Sequence, residues 1–489
     1  MPRGDAAALP GAPPFGGGGR RAGEPPVTEG PGPEARGAEG AAAPSAGRDA
    51  AYLVAGQVAA SAAGFGLGVV LARALGPEGK GFYDIVVGSA SLLMMVLGLS
   101  LSSGVFYHTA KQPLDHRRLL ALLWGVAAVL ACLAAALLAA GRDLPWIAWM
   151  LPRGTGGAAA LLTGGVLLAL YGQTLAKAVA GGMGRFGAYS VSDAVGRLAA
   201  LAAAVALALA GVRTPVPYLV VFAGAIGVSA LALSGMVGRA PVPSRVLPVA
   251  AIVGYSFPLY VGNLVQFLNY RLDIFFVKEM VSLRAVGIYT VAVSLAQVLW
   301  LVPMALAALV MRQVAAEGSG EAVLARVGEV NRFCLYLGVV SAAGLAGVAW
   351  FALGPVFGPG FEASFPPLAL LLPGIVLFSP TIILSAYLNG IHRQVYTTWV
   401  ACGSLTVTIV LNLLLVPRIG VAGAAVASTA SYTLSSVVTV ALSLRTTPGL
   451  SARALFVPHR TDLARGMGLV RGALAGVRAA VRPRRPAGS

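Results

Sequence analysis

Five polar side chains share one face of a stretch that is otherwise apolar. Between residues 249 and 276, Asn263, Gln266, Asn269, Tyr270 and Asp273 fall within an arc of about 120° at the helical step of 100° per residue. An ionisable group at the centre of a bilayer costs roughly 2.5–3.5 kcal/mol on insertion scales, so such groups face a cavity or a partner. The stripe either lines a hydrated passage or bonds to neighbouring helices and holds the bundle together. Five polar groups on one stripe exceed what packing requires. That favours a passage, with Asn263, Gln266 and Asn269 as substrate contacts and Asp273 as a site for a coupling ion.

Other polar groups keep alternatives open. Arg271 lies about 80° off the stripe: it contacts substrate, snorkels to the headgroups, or pairs with Asp273 or a carboxylate of the first half. Asp193 and Arg197 stand at i and i+4, which suits a structural ion pair. The functional alternative makes Arg197 a substrate-binding cation and Asp193 a coupling-ion site. Gln57, Ser61, Gly64 and Gly68 share a face of the first apolar stretch, Gln57 being a cavity candidate and the glycines a packing surface. Asp84 reads as an interfacial cap at a helix start, with an ion site as the alternative, and Lys177 as a side chain that snorkels to the surface. The four histidines read as surface groups, and the three cysteines as small buried hydrophobes without metal or disulfide spacing. No metal site is indicated.

The elements that must position these groups follow from composition. Of 489 residues 57% are hydrophobic and 11% charged, with a mean hydropathy of +0.81. Soluble domains carry about 25% charged residues. Runs of about 20 apolar residues fit a bilayer instead, so the chain is predicted to be an all-α polytopic membrane protein. The net charge of +17 is spread unevenly: −1 over residues 1–49, +10 over 50–444 and +8 over 445–489. Such a distribution fits the positive-inside rule and anionic lipids, and nucleic acid is not a predicted partner.

About twelve spans are predicted: 51–73, 83–106, 118–140, 158–180, 190–211 and 216–237, then 249–276, 286–310, 333–354, 365–388, 395–416 and 420–443. The two sets repeat. Gly56-Gln57 and Gly81-Phe82-Tyr83 recur 206 positions on as Gly262-Asn263 and Gly287-Ile288-Tyr289. Gly182-Met183-Gly184-Arg185 recurs 208 positions on as Gly390-Ile391-His392-Arg393. Six spans per half is even, so the halves are related by an axis along the membrane normal, a parallel repeat. The predicted organisation is a disordered Gly/Pro/Ala-rich tail (1–49), an N-lobe (50–240), a C-lobe (246–445) and a basic tail (446–489). In the last, Leu463, Met467, Val470, Leu474, Val477 and Val481 alternate steps of four and three. Arg465, Arg471, Arg478 and Arg482 occupy other positions, as in an amphipathic helix anchored on anionic lipid; docking of a biosynthetic partner is the alternative. Loop cations together with the tails place both termini in the cytoplasm.

The segment Leu71-Ala72-Arg73-Ala74-Leu75-Gly76-Pro77-Glu78-Gly79-Lys80-Gly81-Phe82-Tyr83 resembles the loop after the first helix of polysaccharide-biosynthesis flippases. These form the Wzx-like branch of the multidrug/oligosaccharidyl-lipid/polysaccharide (MOP) exporter superfamily. Asn269-Tyr270-Arg271-Leu272-Asp273 with Val286-Gly287-Ile288-Tyr289, and Asn412 through Gly420 with Gly423-Ala424-Ala425, carry the same likeness, which covers residues 50–445. The second half departs from it in having Ser282-Leu283-Arg284-Ala285 in place of a GPxG loop.

The resemblance implies a two-lobed, MATE-like fold working by alternating access in the bacterial cytoplasmic membrane. It also implies a polyprenyl-diphosphate-linked oligosaccharide as substrate, with polysaccharide-assembly proteins as partners. No cofactor is implied: GxxxxGK[ST] is absent, which leaves proton or sodium coupling as the drive. A cation-coupled drug or metabolite antiporter of the same superfamily is the nearest alternative. A membrane polymerase or glycosyltransferase is more distant, because the outer loops are short and their acids scattered.

Overall fold

The computed structural model describes residues 33–111, 115–141, 144–152, 156–238 and 249–458. Met1–Ala46 and Gly47–Ser489 are separate compact units. The first is helical from Pro33, where composition predicted disorder across 1–49; that run is rich in alanine, the strongest helix former. The second consists of helices joined by short turns, with no strand among its described residues.

Among the described residues of the second unit, ten helices are long and apolar enough to cross a membrane, and the bent pair Val249–Phe257 and Tyr260–Met280 adds an eleventh. That bend of 51° falls where the sequence has Pro258, whose missing N–H interrupts the helical ladder. The first helix, Ala55–Leu97, runs for 43 residues, or about 64 Å at 1.5 Å each, twice the bilayer core. It breaks at Gly76, where φ is 67° and ψ −178°. As two arms it restores the twelve spans predicted.

Several boundaries differ from the sequence expectation. The second arm stops at Leu97 instead of near 106, because Leu99 and Ser100 take positive φ before α2 (Leu101–Lys111) resumes. The stretch 311–332 is not a loop: α10 (Leu301–Glu317) and α11 (Glu321–Phe357) extend into it and meet at a turn on Gly318, φ 75°.

The sequence repeat is a repeat of structure. Gly184 and His392 both have positive φ, 71° and 59°. The arginine after each reaches a carbonyl at the end of its half's last helix: Arg185 Nη1 donates to Met236 at 2.9 Å, and Arg393 Nη1 to Thr446 at 3.0 Å. Gly56 packs against Ser190, and Gly262 against Thr398 at the equivalent place. The two halves even start their second helices at one register. Gly76 precedes Pro77 in the first; Ser282 opens α9 (Leu283–Gln297) in the second, its side chain accepting from the Ala285 N–H at 3.1 Å. A positive-φ glycine before a proline and a serine N-cap are interchangeable ways to begin a helix. This explains how the second half dispenses with the GPxG loop.

Each lobe has its own core. One cluster runs from Leu67 to Ile252, and two others belong to the second half, the larger admitting Ala72 and Ile85 from the first. The lobes meet at both ends. At the end carrying Gly81, Arg73 donates to the Val356 carbonyl at 2.8 Å and also to that of Pro355, closing the carbonyl end of α11. Lys278 donates to the Ala148 carbonyl at 2.6 Å. At the opposite end Tyr107 and Tyr255 stack at 4.2 Å, and Tyr260 Oη donates to Val96 O at 3.1 Å.

The start of the predicted basic tail is part of the fold. α16 (Ala452–Phe456) lies along α11, where Asn331 Nδ2 donates to Leu455 O and Tyr336 Oη to Phe456 O, at 3.0 and 2.7 Å. Arg465, Arg471, Arg478 and Arg482 lie outside the described residues.

Candidate functional site

The polar stripe opens onto a cavity of about 620 Å³ within the C-lobe. Asn263, Gln266, Asn269 and Tyr270 of α8 (Val249–Met280) form one wall. Thr381, Ser385 and Asn389 of α13 (Ser379–Gly390), with Thr397 and Ser404 of α14 (Gln394–Ile419), form the other. Phe378 and Tyr432 complete an aromatic floor with Tyr270, backed by Trp300, whose ring lies 5.3 Å from those of Tyr270 and Phe378. Among the described lining residues there is no Lys, Arg, Asp or Glu; His392 sits at the exposed rim. The buried Thr381 hydroxyl has no partner among the described residues.

Behind this wall the stripe becomes structural. Asn269 Nδ2 donates to Ala401 O at 2.8 Å, and its Oδ1 accepts from Thr408 at 3.4 Å. Thr408 Oγ1 also lies 2.7 Å from Ser431 Oγ, which is 2.6 Å from Ser404 Oγ. Asp273 is 3% exposed and belongs to the wall rather than the cavity: Tyr289 Oη donates to it at 2.5 Å and Ser428 Oγ at 3.3 Å. The two readings of the stripe therefore divide it, with Asn263, Gln266 and Tyr270 facing space, Asp273 tied into the lobe and Asn269 doing both.

The N-lobe has a pocket of about 570 Å³ beside Phe106, Tyr107, Lys177, Phe186 and Tyr189, with Tyr255 entering from the other lobe. Lys177 does not snorkel. Its Nζ bonds to Asp193 at 3.0 Å and sits 4.6 Å from the centre of the Tyr189 ring, because a buried carboxylate is a better partner than distant headgroups. Arg197 Nε approaches the same carboxylate at 3.6 Å. Asp193 thus serves two cations, leaving one positive charge in excess within this cluster.

The remaining candidates scatter. Arg271 is exposed, lines neither cavity and makes no hydrogen bond or ion pair among the described residues. Gln57 is exposed and donates only to Ser61 at 3.4 Å, whereas its repeat partner Asn263 donates across the lobe boundary to Ser100 at 3.2 Å. The two amides do not face each other. Asp84 is no helix cap: it lies inside the helical run and pairs with Lys80 at 2.5 Å, and Thr290 of the other lobe donates to it. His108 and His116 are buried where surface positions were predicted, and Cys132 is exposed on an apolar helix. The hydroxyls of Thr381, Ser385, Thr408, Ser428 and Ser431 escaped the sequence reading.

The model of the polysaccharide biosynthesis protein family matches residues 46–314. No curated protein matches the chain. Among solved structures, lipid II flippase MurJ in an inward closed conformation is similar with a TM-score of 0.67 at 12% identity, over 88% of this chain and 97% of that one. An inward-facing multidrug resistance MATE family transporter of the MOP superfamily is similar with a TM-score of 0.61 at 13% identity, over 80% and 95%. A MOP superfamily transporter from Pyrococcus furiosus, with a binding pocket described as of reverse polarity, gives 0.53 at 12%, over 82% and 95%. With ten to eleven membrane-length apolar helices among its described residues, the longest broken at Gly76, and two repeated lobes, the chain is a multi-pass membrane protein with the MurJ/MATE transporter fold, and it belongs to the polysaccharide biosynthesis protein family.

Proposed function

We propose that this protein is a flippase that carries a polyprenyl-diphosphate-linked oligosaccharide from the inner to the outer leaflet of the bacterial cytoplasmic membrane. The carrying observation is the pairing of chemistries inside one bundle. A C-lobe cavity offers amides, hydroxyls and ring faces, and an N-lobe pocket is lined by Lys177, whose partner carboxylate, Asp193, is shared with Arg197 behind the pocket wall. Sugars need neutral donors and acceptors, and a diphosphate needs cations. Alternating access then consists of the lobes parting at one end while they close at the other. Asp273 and Asp193 are the coupling-ion candidates, for a proton or sodium. Both termini are assigned to the cytoplasm, with the arginines after residue 459 on anionic lipid.

An antiporter for cationic drugs is less well supported, because the C-lobe cavity has no carboxylate among its described lining residues to receive a cation. Reconstitution decides between them. In proteoliposomes, a fluorescent lipid-linked oligosaccharide should pass between leaflets in a protein-dependent way, read by its loss of protection from an impermeant quencher. Gradient-driven export of a cationic dye with no lipid transfer would overturn the flippase assignment.

A further inference from the structure

The two pockets share a stretch of wall that the repeat duplicates. Lys177, Gly181, Phe186 and Tyr189 line the N-lobe pocket; at the repeat offset of 208 stand Ser385, Asn389, Gln394 and Thr397, and all four line the C-lobe cavity. The shared positive-φ turns at Gly184 and His392 fix this correspondence in three dimensions. One architecture therefore carries two chemistries. Where the N-lobe has a cation and two rings, the C-lobe has one amide and two hydroxyls, with a second amide, Asn389, in place of a glycine.

The difference selects a ligand. Asn389 and Gln394 offer donors and acceptors together, and Ser385, Thr381 and Thr397 can turn either way, which matches a sugar hydroxyl's need to give and receive. Thr381 keeps a buried hydroxyl on this wall without a partner among the described residues. Tyr270, Phe378 and Tyr432 supply an apolar floor for the carbon face of a ring. A carboxylate on the ligand would enter a space with no Lys or Arg among its described lining residues and lose its hydration uncompensated.

From this divergence we propose that the C-lobe cavity is the subsite that reads the glycan, and that it accepts uncharged sugars over acidic ones. The proposal rests on the flippase reading above and adds the class of sugar and the place where it binds. Selectivity follows from a pocket built to hydrogen-bond hydroxyls while leaving a charge unpaired.

The test uses the full chain in proteoliposomes with two substrates of one shape: a polyprenyl diphosphate carrying maltotriose, and the same molecule with its terminal sugar oxidised to a uronate. The wild type should move the neutral substrate at least tenfold faster. Ser385→Lys, which places the N-lobe's cation at the equivalent C-lobe position, should shrink or invert that ratio. Gln394→Glu should widen it. Opposite shifts from opposite charges cannot come from misfolding alone. A wild type that prefers the uronate, or ratios within twofold of wild type in both folded variants, would overturn the proposal. If the wild type moves neither substrate, it is the flippase reading that fails, and binding of free maltotriose then decides the subsite. Saturable quenching of tryptophan fluorescence that is lost in Trp300→Phe and weakened in Ser385→Lys supports it; no saturable quenching overturns it.

Discussion

Gly81 and Gly287 each press against the backbone of the other's lobe. A Cβ on Gly81 would overlap the carbonyl oxygen of Leu283, and a Cβ on Gly287 would overlap that of Pro77. Both pairs are separated by the same repeat, since Pro77 and Leu283 are also 206 positions apart. Residue i touches j′ while i′ touches j, the signature of a two-fold interface, here between halves of one chain. The sequence repeat and the lobe contact are thus one fact, and the glycines that first reveal the duplication are those that let its two copies meet.

A methyl group at either position must push the lobes apart, because the atom it meets is backbone and cannot rotate away. Gly81→Ala and Gly287→Ala should each lengthen the distance between spin labels at Glu78 and Glu362, measured by pulsed electron resonance. Each lobe should keep its helical content. One separation relieves both overlaps, so the double variant should add little to either single one, a non-additivity of about 0.5–3 kcal/mol. Unchanged distances with a lowered melting temperature would place the strain within the lobes instead.

Beside these glycines, the side chains of Lys80 and Asp84 are 6% and 19% exposed, and Thr290 from the opposite lobe lies 3.1 Å from Lys80 Nζ. Thr290 is itself the repeat counterpart of Asp84. Removing one partner of a buried pair typically costs about 3–5 kcal/mol, because it strands the other charge. Lys80→Met should therefore lower the melting temperature in detergent more than Lys80→Met/Asp84→Leu does. A double variant no more stable than the single would show that the charge left on Asp84 is already well solvated.

The two membrane arginines should separate cleanly. Arg197 shares the Asp193 carboxylate with Lys177, which lines the N-lobe pocket, whereas Arg271 is exposed and has no such link to either cavity. Arg197→Ala should slow lipid-linked oligosaccharide transfer about tenfold or more, the loss expected from one charge-assisted hydrogen bond to a phosphate. Arg271→Ala should leave the rate within about twofold, a difference of less than 0.5 kcal/mol. Equal losses in both would bring Arg271 into the substrate path during the transport cycle.

What the sequence revealed and what it hid have a common physical cause. Spans, repeat and polar stripe were legible because they rest on glycine, charge and amides, which are conspicuous in apolar helices. The partners of the stripe were not. Ser404, Thr408, Ser428 and Ser431 carry the buried C-lobe network, yet serines and threonines in helices also satisfy themselves on the preceding turn, as Thr163, Ser234 and Thr446 do here. Nothing in one chain distinguishes the two habits. Lys177 was misplaced because its partner, Asp193 sixteen residues on, lies beyond the reach of helical spacing; Asp84 was misplaced because the helix continues through 77–83, where a loop was expected, and brings Lys80 one turn before it. Matching the pockets residue by residue at the repeat offset required knowing which side chains line them.

Asp273 offers the sharpest test of coupling. Its carboxylate is buried, accepts from Tyr289 and Ser428, and lies one helical turn beyond Asn269 on the cavity wall. If a proton or sodium ion binds there, its arrival changes the charge that Tyr289 and Ser428 face and so biases the wall that holds Asn269. Asp273→Asn keeps the shape and one oxygen acceptor but can no longer change charge. The variant should still bind lipid-linked oligosaccharide and still exchange it between leaflets, while an imposed pH or sodium gradient should no longer accelerate transfer. Tyr289→Phe, which removes one hydrogen bond and keeps the carboxylate, should retain the gradient response with a shifted ion dependence. Gradient-driven transfer that persists in Asp273→Asn would move the coupling site to Asp193, where Lys177 and Arg197 already compete for the carboxylate.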